Sequence, residues 1–144
     1  METTFDDVFS YDKDKAEDGI PIIVGVNKNG DDVTLFVAMA GSERHEKMQR
    51  KYSKSLERAR RNEKLTRKIM AKIVAQSLLL GWEGVLDQDG NPVEATTENK
   101  IKALMSHKQL YMSVLEAAMD TANFVEEGED LGAEEDTEKN SPAP

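Results

Sequence analysis

Ile20-Pro21-Ile22-Ile23-Val24-Gly25-Val26 and Val33-Thr34-Leu35-Phe36-Val37-Ala38-Met39 bracket the polar run Asn27-Lys28-Asn29-Gly30-Asp31-Asp32. Both apolar runs are rich in β-branched and aromatic residues. The Asn29-Gly30 pair between them favours positive φ. Together they predict a β-hairpin over 20–39. Pro21 has no N–H for a ladder bond, which suits a strand start or an edge.

Outward from the hairpin, the pattern changes from strand to helix. Ser42 is a good N-cap, and Glu43 in the first turn suits the helix dipole. Met48, Tyr52, Leu56, Ala59, Leu65, Ile69, Ile73 and Leu80 recur at helical spacing. Neither proline nor glycine interrupts before Gly81, so helix is expected across 43–80, with a break near Arg61-Asn62. Glu43–Lys47, Glu46–Arg50, Glu57–Arg61 and Glu63–Arg67 stand in the favourable i, i+4 orientation. Gly81-Trp82-Glu83-Gly84 stops that helix, and Val85 to Val93, with Asp-Gly and Asn-Pro, reads as a turn-rich loop. Thr96 or Thr97 caps a helix over 97–105. Ser106 caps a last helix over 107–124, whose Leu110, Tyr111, Val114, Leu115, Ala118, Met119 and Ala122 form one apolar stripe. The fold class is therefore α+β: an N-terminal β-hairpin packed on a mainly α-helical domain over 20–124. An acidic flexible segment (1–19) precedes it, and a disordered acidic tail (125–144) follows.

Composition narrows the function classes. A chain of 144 residues, 38% hydrophobic and 33% charged, supports one core under a heavily charged surface. It has no cysteine, which removes disulfides, thiolate metal sites and cysteine nucleophiles. The acidic N-terminus lacks the pattern of a signal peptide. The apolar stretch at 69–80 is too short and too polar for a bilayer. A soluble intracellular protein is expected. Net charge is −9 but unevenly spread. Residues 1–19 hold seven acids and two lysines, and 125–144 hold eight acids and one lysine. Residues 43–72 hold twelve basic and four acidic side chains. Two acidic ends thus flank a basic middle.

The residues of catalysis do not gather into a pattern. His45 and His107 lie far apart and neither has a motif around it; His45 sits on a charged helix start and His107 at a helix start, and both read as solvated rather than catalytic. Asp87-Gln88-Asp89-Gly90 fails the calcium-loop spacing: aligning Gly90 with the loop glycine puts Val85 at the first ligand position and Thr96 at the last. It reads as a plain turn. Neither an enzyme nor a bound cofactor or metal is expected. The basic stretch invites a nucleic-acid reading. Its regular Glu-to-basic spacing, its single aromatic Tyr52 and the acidic whole argue against one.

Gly81-Trp82-Glu83-Gly84-Val85, Asp87-Gln88-Asp89-Gly90-Asn91-Pro92-Val93, Thr97-Glu98-Asn99 and a closing amphipathic helix ending Ala122-Asn123-Phe124 follow in order. This set resembles the tail assembly chaperone family of long-tailed bacteriophages, over about 20–124. The resemblance implies a protein that binds the tape measure protein, a long apolar helical chain. It would keep that chain soluble in the host cell cytoplasm, help tail tube subunits polymerise around it, and be absent from the mature virion. Many members also have a longer frameshifted form. Glu138-Lys139-Asn140 admits codons containing a slippery A-AAA-AAC run, which the gene sequence decides.

Two surfaces are candidates for the partner. The first is the last helix: Leu110, Tyr111, Val114, Leu115 and Met119, with core packing as the equal alternative. The second is the basic face of Arg50, Lys54, Arg58 and Arg61, with a solvated face as the alternative. Met70, Met105, Met112 and Met119 read as core or half-buried, though flexible methionine surfaces suit adaptable binding of apolar segments. Self-association is a further expectation. A minor virion tail protein and a small nucleic-acid-binding regulator using 43–72 are the competing functions.

Overall fold

A computed structural model of the chain describes residues 3–125. Two short helices, α1 (Thr4–Val8) and α2 (Lys13–Asp18), precede strands β1 (Ile20–Val26) and β2 (Asp32–Val37). Helices α3 (Glu43–Ala59) and α4 (Glu63–Ser77) lead into β3 (Leu79–Glu83). Helices α5 (Thr97–Ser106) and α6 (Lys108–Met119) and a 3-10 turn at Thr121–Phe124 complete the α+β fold.

The hairpin forms as its pattern predicts. Ile20 pairs with Val37 and Val26 with Asp32, with a bulge between Ile23 and Gly25. Asn27 closes the turn: its side-chain oxygen accepts the Asn29 and Asp31 N–H groups. The sheet has a third strand that periodicity did not predict. β3 pairs antiparallel with β2, Leu35 opposite Trp82 and Phe36 opposite Gly81, giving the order β1-β2-β3. The helix expected to run to 80 therefore ends at Ser77. Leu78, Leu79 and Leu80 are apolar on every face, and β2's open edge claims them.

The helices obey local signals closely. Ser42 Oγ accepts the His45 N–H at 3.3 Å and caps α3. The expected break falls at 60–62, where Asn62 Oδ1 accepts the Leu65 N–H at 3.0 Å and starts α4. Thr96 Oγ1 caps α5 through the Asn99 N–H at 3.1 Å. Ser106 does not cap the last helix: it ends α5, and His107 stands at the α6 N-cap with no side-chain bond. The last helix also ends earlier, at Met119, where Asp120 turns the chain into the 3-10 turn. Among the described residues, Glu46–Arg50 is the one expected pair that closes, at 3.9 Å. Glu57–Arg61 fails because Arg61 lies beyond the end of α3.

The main core lies between sheet and helices. Leu35 and Val37 meet Ala71, Val74 and Ala75 of α4, Leu78 just after it, Leu104 of α5, and Val114 and Ala118 of α6. A second cluster, Ala59, Ile69 and Ile73 with Met48, Tyr52 and Leu56, joins α3 to α4.

The segment expected to be flexible over 1–19 needs correction from Asp12 onward. The Asp12 N–H donates to the Phe124 carbonyl at 2.7 Å, and the Met39 N–H donates to the Ala16 carbonyl at 2.9 Å. Ala16 and Phe124 are both buried. A small residue at 16 lets α2 lie against the sheet end and the final turn, so the domain starts near Asp12. Residues 1–2, and 126–144 of the expected acidic tail, lie outside the described residues.

Candidate functional site

The clearest depression lies where the start of α4, the end of α5 and the start of α6 meet, with a volume near 430 Å³. Met70, Ala71, Leu104, Met105, Tyr111 and Met112 make its apolar wall. Arg67 and Lys108 stand on its rim, with Glu63 beside them. The geometry follows from sequence. His107 separates α5 from α6, so the chain turns there and the first turns of α6 face the same depression as the start of α4. Leu104 and Val114 anchor the two helices in the core. Met105 and Met112 are left partly or largely open.

Met105 also lines a second, shallower depression between α4 and α5, together with Ile101, Lys68, Lys72 and Lys102. The two depressions thus form one apolar track around Met105. Five cations and two carboxylates, Glu63 and Glu98, border it. Such a lining fits an apolar helix carrying acidic flanks. Methionine's unbranched, polarizable chain adapts to irregular surfaces. Burial raises the pKa of the Tyr111 hydroxyl, so it stays a neutral phenol beside the groove.

The first predicted surface divides. Val114 is fully buried, at 0% exposure. Leu110, Tyr111 and Leu115 are half-buried against the core, and Tyr111 alone of the five also lines the groove. Met119 is 68% exposed at the far end of α6. The stripe is thus mainly the inner face of α6. The groove's methionines come from three helices: Met112 is 42% exposed, while Met70 and Met105 are half-buried against the core clusters. Methionine abundance was the one sequence signal for them.

The second predicted surface is open. Arg50, Lys54 and Arg58 are exposed along one side of α3, and Arg61 is exposed in the turn after it. Lys100, which sequence reasoning did not single out, is buried on the inner side of α5. Its ammonium donates to the Leu79 carbonyl at 3.0 Å. Burial, and secondarily Arg44, lower its pKa. Asp87 is engaged in its own turn, accepting the Asp89 and Asn91 N–H groups at 2.9 Å each. No helix among the described residues is long and apolar enough to cross a membrane.

Neither a curated protein nor a solved structure matches the chain. A family model described as YdaY prophage protein matches residues 40–140, which takes in every element from α3 to the final turn. With the greater part of its length matched, the chain belongs to the YdaY prophage protein family and is phage-derived.

Proposed function

We propose that the protein is a tail assembly chaperone that binds its phage's tape measure protein. On this reading an amphipathic helix of that partner lies in the α4–α5–α6 groove and is kept from aggregating. Tail tube subunits then assemble around the partner, and the chaperone leaves before the virion is complete. The work is done in the host cytoplasm and involves no catalytic step.

The groove carries the reading. Its Met70, Met105 and Met112 wall offers an adaptable apolar surface, and Arg67, Lys108, Lys68, Lys72 and Lys102 offer partners for acidic flanks. An extended chain with exposed apolar stripes aggregates unless those stripes are covered. Membership of a prophage family and the ordered motifs at 81–124 support the same reading.

Co-expression with the long gene product encoded just downstream tests it. The expected result is a soluble, co-purifying complex. A downstream product that stays insoluble and unbound overturns it. Mass spectrometry of purified particles separates a virion component, which would be abundant there. The open side of α3 favours a second reading, nucleic-acid binding through Arg50, Lys54 and Arg58. A salt-dependent gel shift would support that alternative.

A further inference from the structure

Helix α1 buries none of its residues. Phe5 is 71% exposed, Val8 63% and Phe9 69%. These stand at i, i+3 and i+4, on one face. The Phe5 and Phe9 rings stack 6.0 Å apart at 28°, forming one apolar block. The short helix is held in shape beforehand. Thr3 Oγ1 accepts the Phe5 N–H at 3.2 Å, and the Asp6 carboxylate accepts the Thr3 N–H at 2.7 Å. Asp6 and Asp7 make it acidic. It therefore has the form the groove fits: a small preordered helix with an aromatic face and carboxylates beside it.

The other described residues do not cover it. The chain is tied at Asp12 to Phe124, just past the end of α6. The groove lies at the start of α6, around Lys108 and Met112. The twelve residues of α6 separate the two ends by roughly 18 Å. A second copy can meet the groove without that constraint.

We propose that α1 of one copy seats Phe5 and Phe9 in the α4–α5–α6 groove of a second copy, with Asp6 and Asp7 facing Arg67 and Lys108. Donor and acceptor surfaces differ, so the contact is head-to-tail and propagates from copy to copy. Two rings and a valine make a small interface, which gives weak, concentration-dependent association. The inference stands on the groove and α1 alone and does not require the tape measure reading. A partner helix taking the groove would displace α1.

Sedimentation velocity on the purified full chain over a rising concentration series tests this without any phage partner. The wild type is expected to grow beyond a monomer with concentration. Phe5→Ser/Phe9→Ser removes exposed rings only, keeps the fold by circular dichroism, and should weaken association on the order of tenfold or more. Met112→Glu should do the same from the groove side. Mixing the two variants joins one intact groove to one intact α1, so a 1:1 pair that grows no further is expected. A wild type that stays monomeric throughout overturns the proposal. So does a Phe5→Ser/Phe9→Ser variant that associates like the wild type, or a mixture that does not pair.

Discussion

The Glu17 carboxylate accepts the Glu43 N–H at 2.8 Å and the Arg44 N–H at 3.4 Å, so the acidic lead caps the basic helix α3 from outside. Two unsatisfied N–H groups and the positive end of the helix dipole meet one negative charge. Glu17→Ala should cost about 1 kcal/mol, by analogy with loss of a cap. That is a fall of a few degrees in Tm. Asp18→Ala, in the same helix, is the control and should leave Tm near the wild type. Equal effects of the two would remove the capping argument.

Gly84 and Gly41 both hold positive φ, at +81° and +89°, but their surroundings differ. A Cβ at Gly84 would run into the Asp32 carbonyl oxygen, whereas at Gly41 it meets nothing within 4 Å. Gly41→Ala should cost only the conformational penalty, of order 1 kcal/mol. Gly84→Ala should cost clearly more, about 3 kcal/mol or above. Urea unfolding of the pair measures the difference, and equal midpoints would contradict it.

The sequence was most readable where the signal was local. Asn29-Gly30 announced the hairpin turn, Ser42 the start of α3, and Asn62 the helix break. Local signal failed where distant residues decide. Leu78 to Leu80 are apolar in every direction, so periodicity could not tell strand from helix; the open edge of β2, forty residues earlier, settles it. Ala16 carries no mark of burial, and its place depends on Phe124. The groove was half legible. Its methionines stand out by type, but Met70 and Met105 are joined only by the packing of α4 on α5. The α6 stripe is plain as an apolar pattern, yet spacing alone does not say which side of it the core takes.

His45 makes stability depend on pH. Its Nδ1 accepts the Gly41 N–H at 3.0 Å, which requires the neutral ring. Burial lowers its pKa from the ordinary 6.5, and the Glu46 carboxylate only partly opposes this. The unfolded chain therefore takes up the proton first as pH falls. The contribution is complete above about pH 6.5 and declines below it toward the lowered folded value. Urea midpoints should drop between pH 7.5 and 5.5, and His45→Gln should flatten that slope. An unchanged slope in His45→Gln would place the dependence elsewhere.

Val114 and Met119 share the apolar side of α6 but not its environment. Val114→Ala leaves a cavity under the sheet and should cost roughly 2–3 kcal/mol. Met119→Ala, at a largely exposed site, should stay within about 0.5 kcal/mol of the wild type. Thermal unfolding of both variants distinguishes a core face from a free one.

The groove is tested most directly by methyl NMR of the full protein labelled at its methionines, free and in the complex co-purified with the tape measure protein. Met70, Met105 and Met112 should shift on binding, while Met39 and Met48, outside the groove, keep their positions. Shifts confined to Met39 and Met48, with the three groove methyls unmoved, would contradict the account.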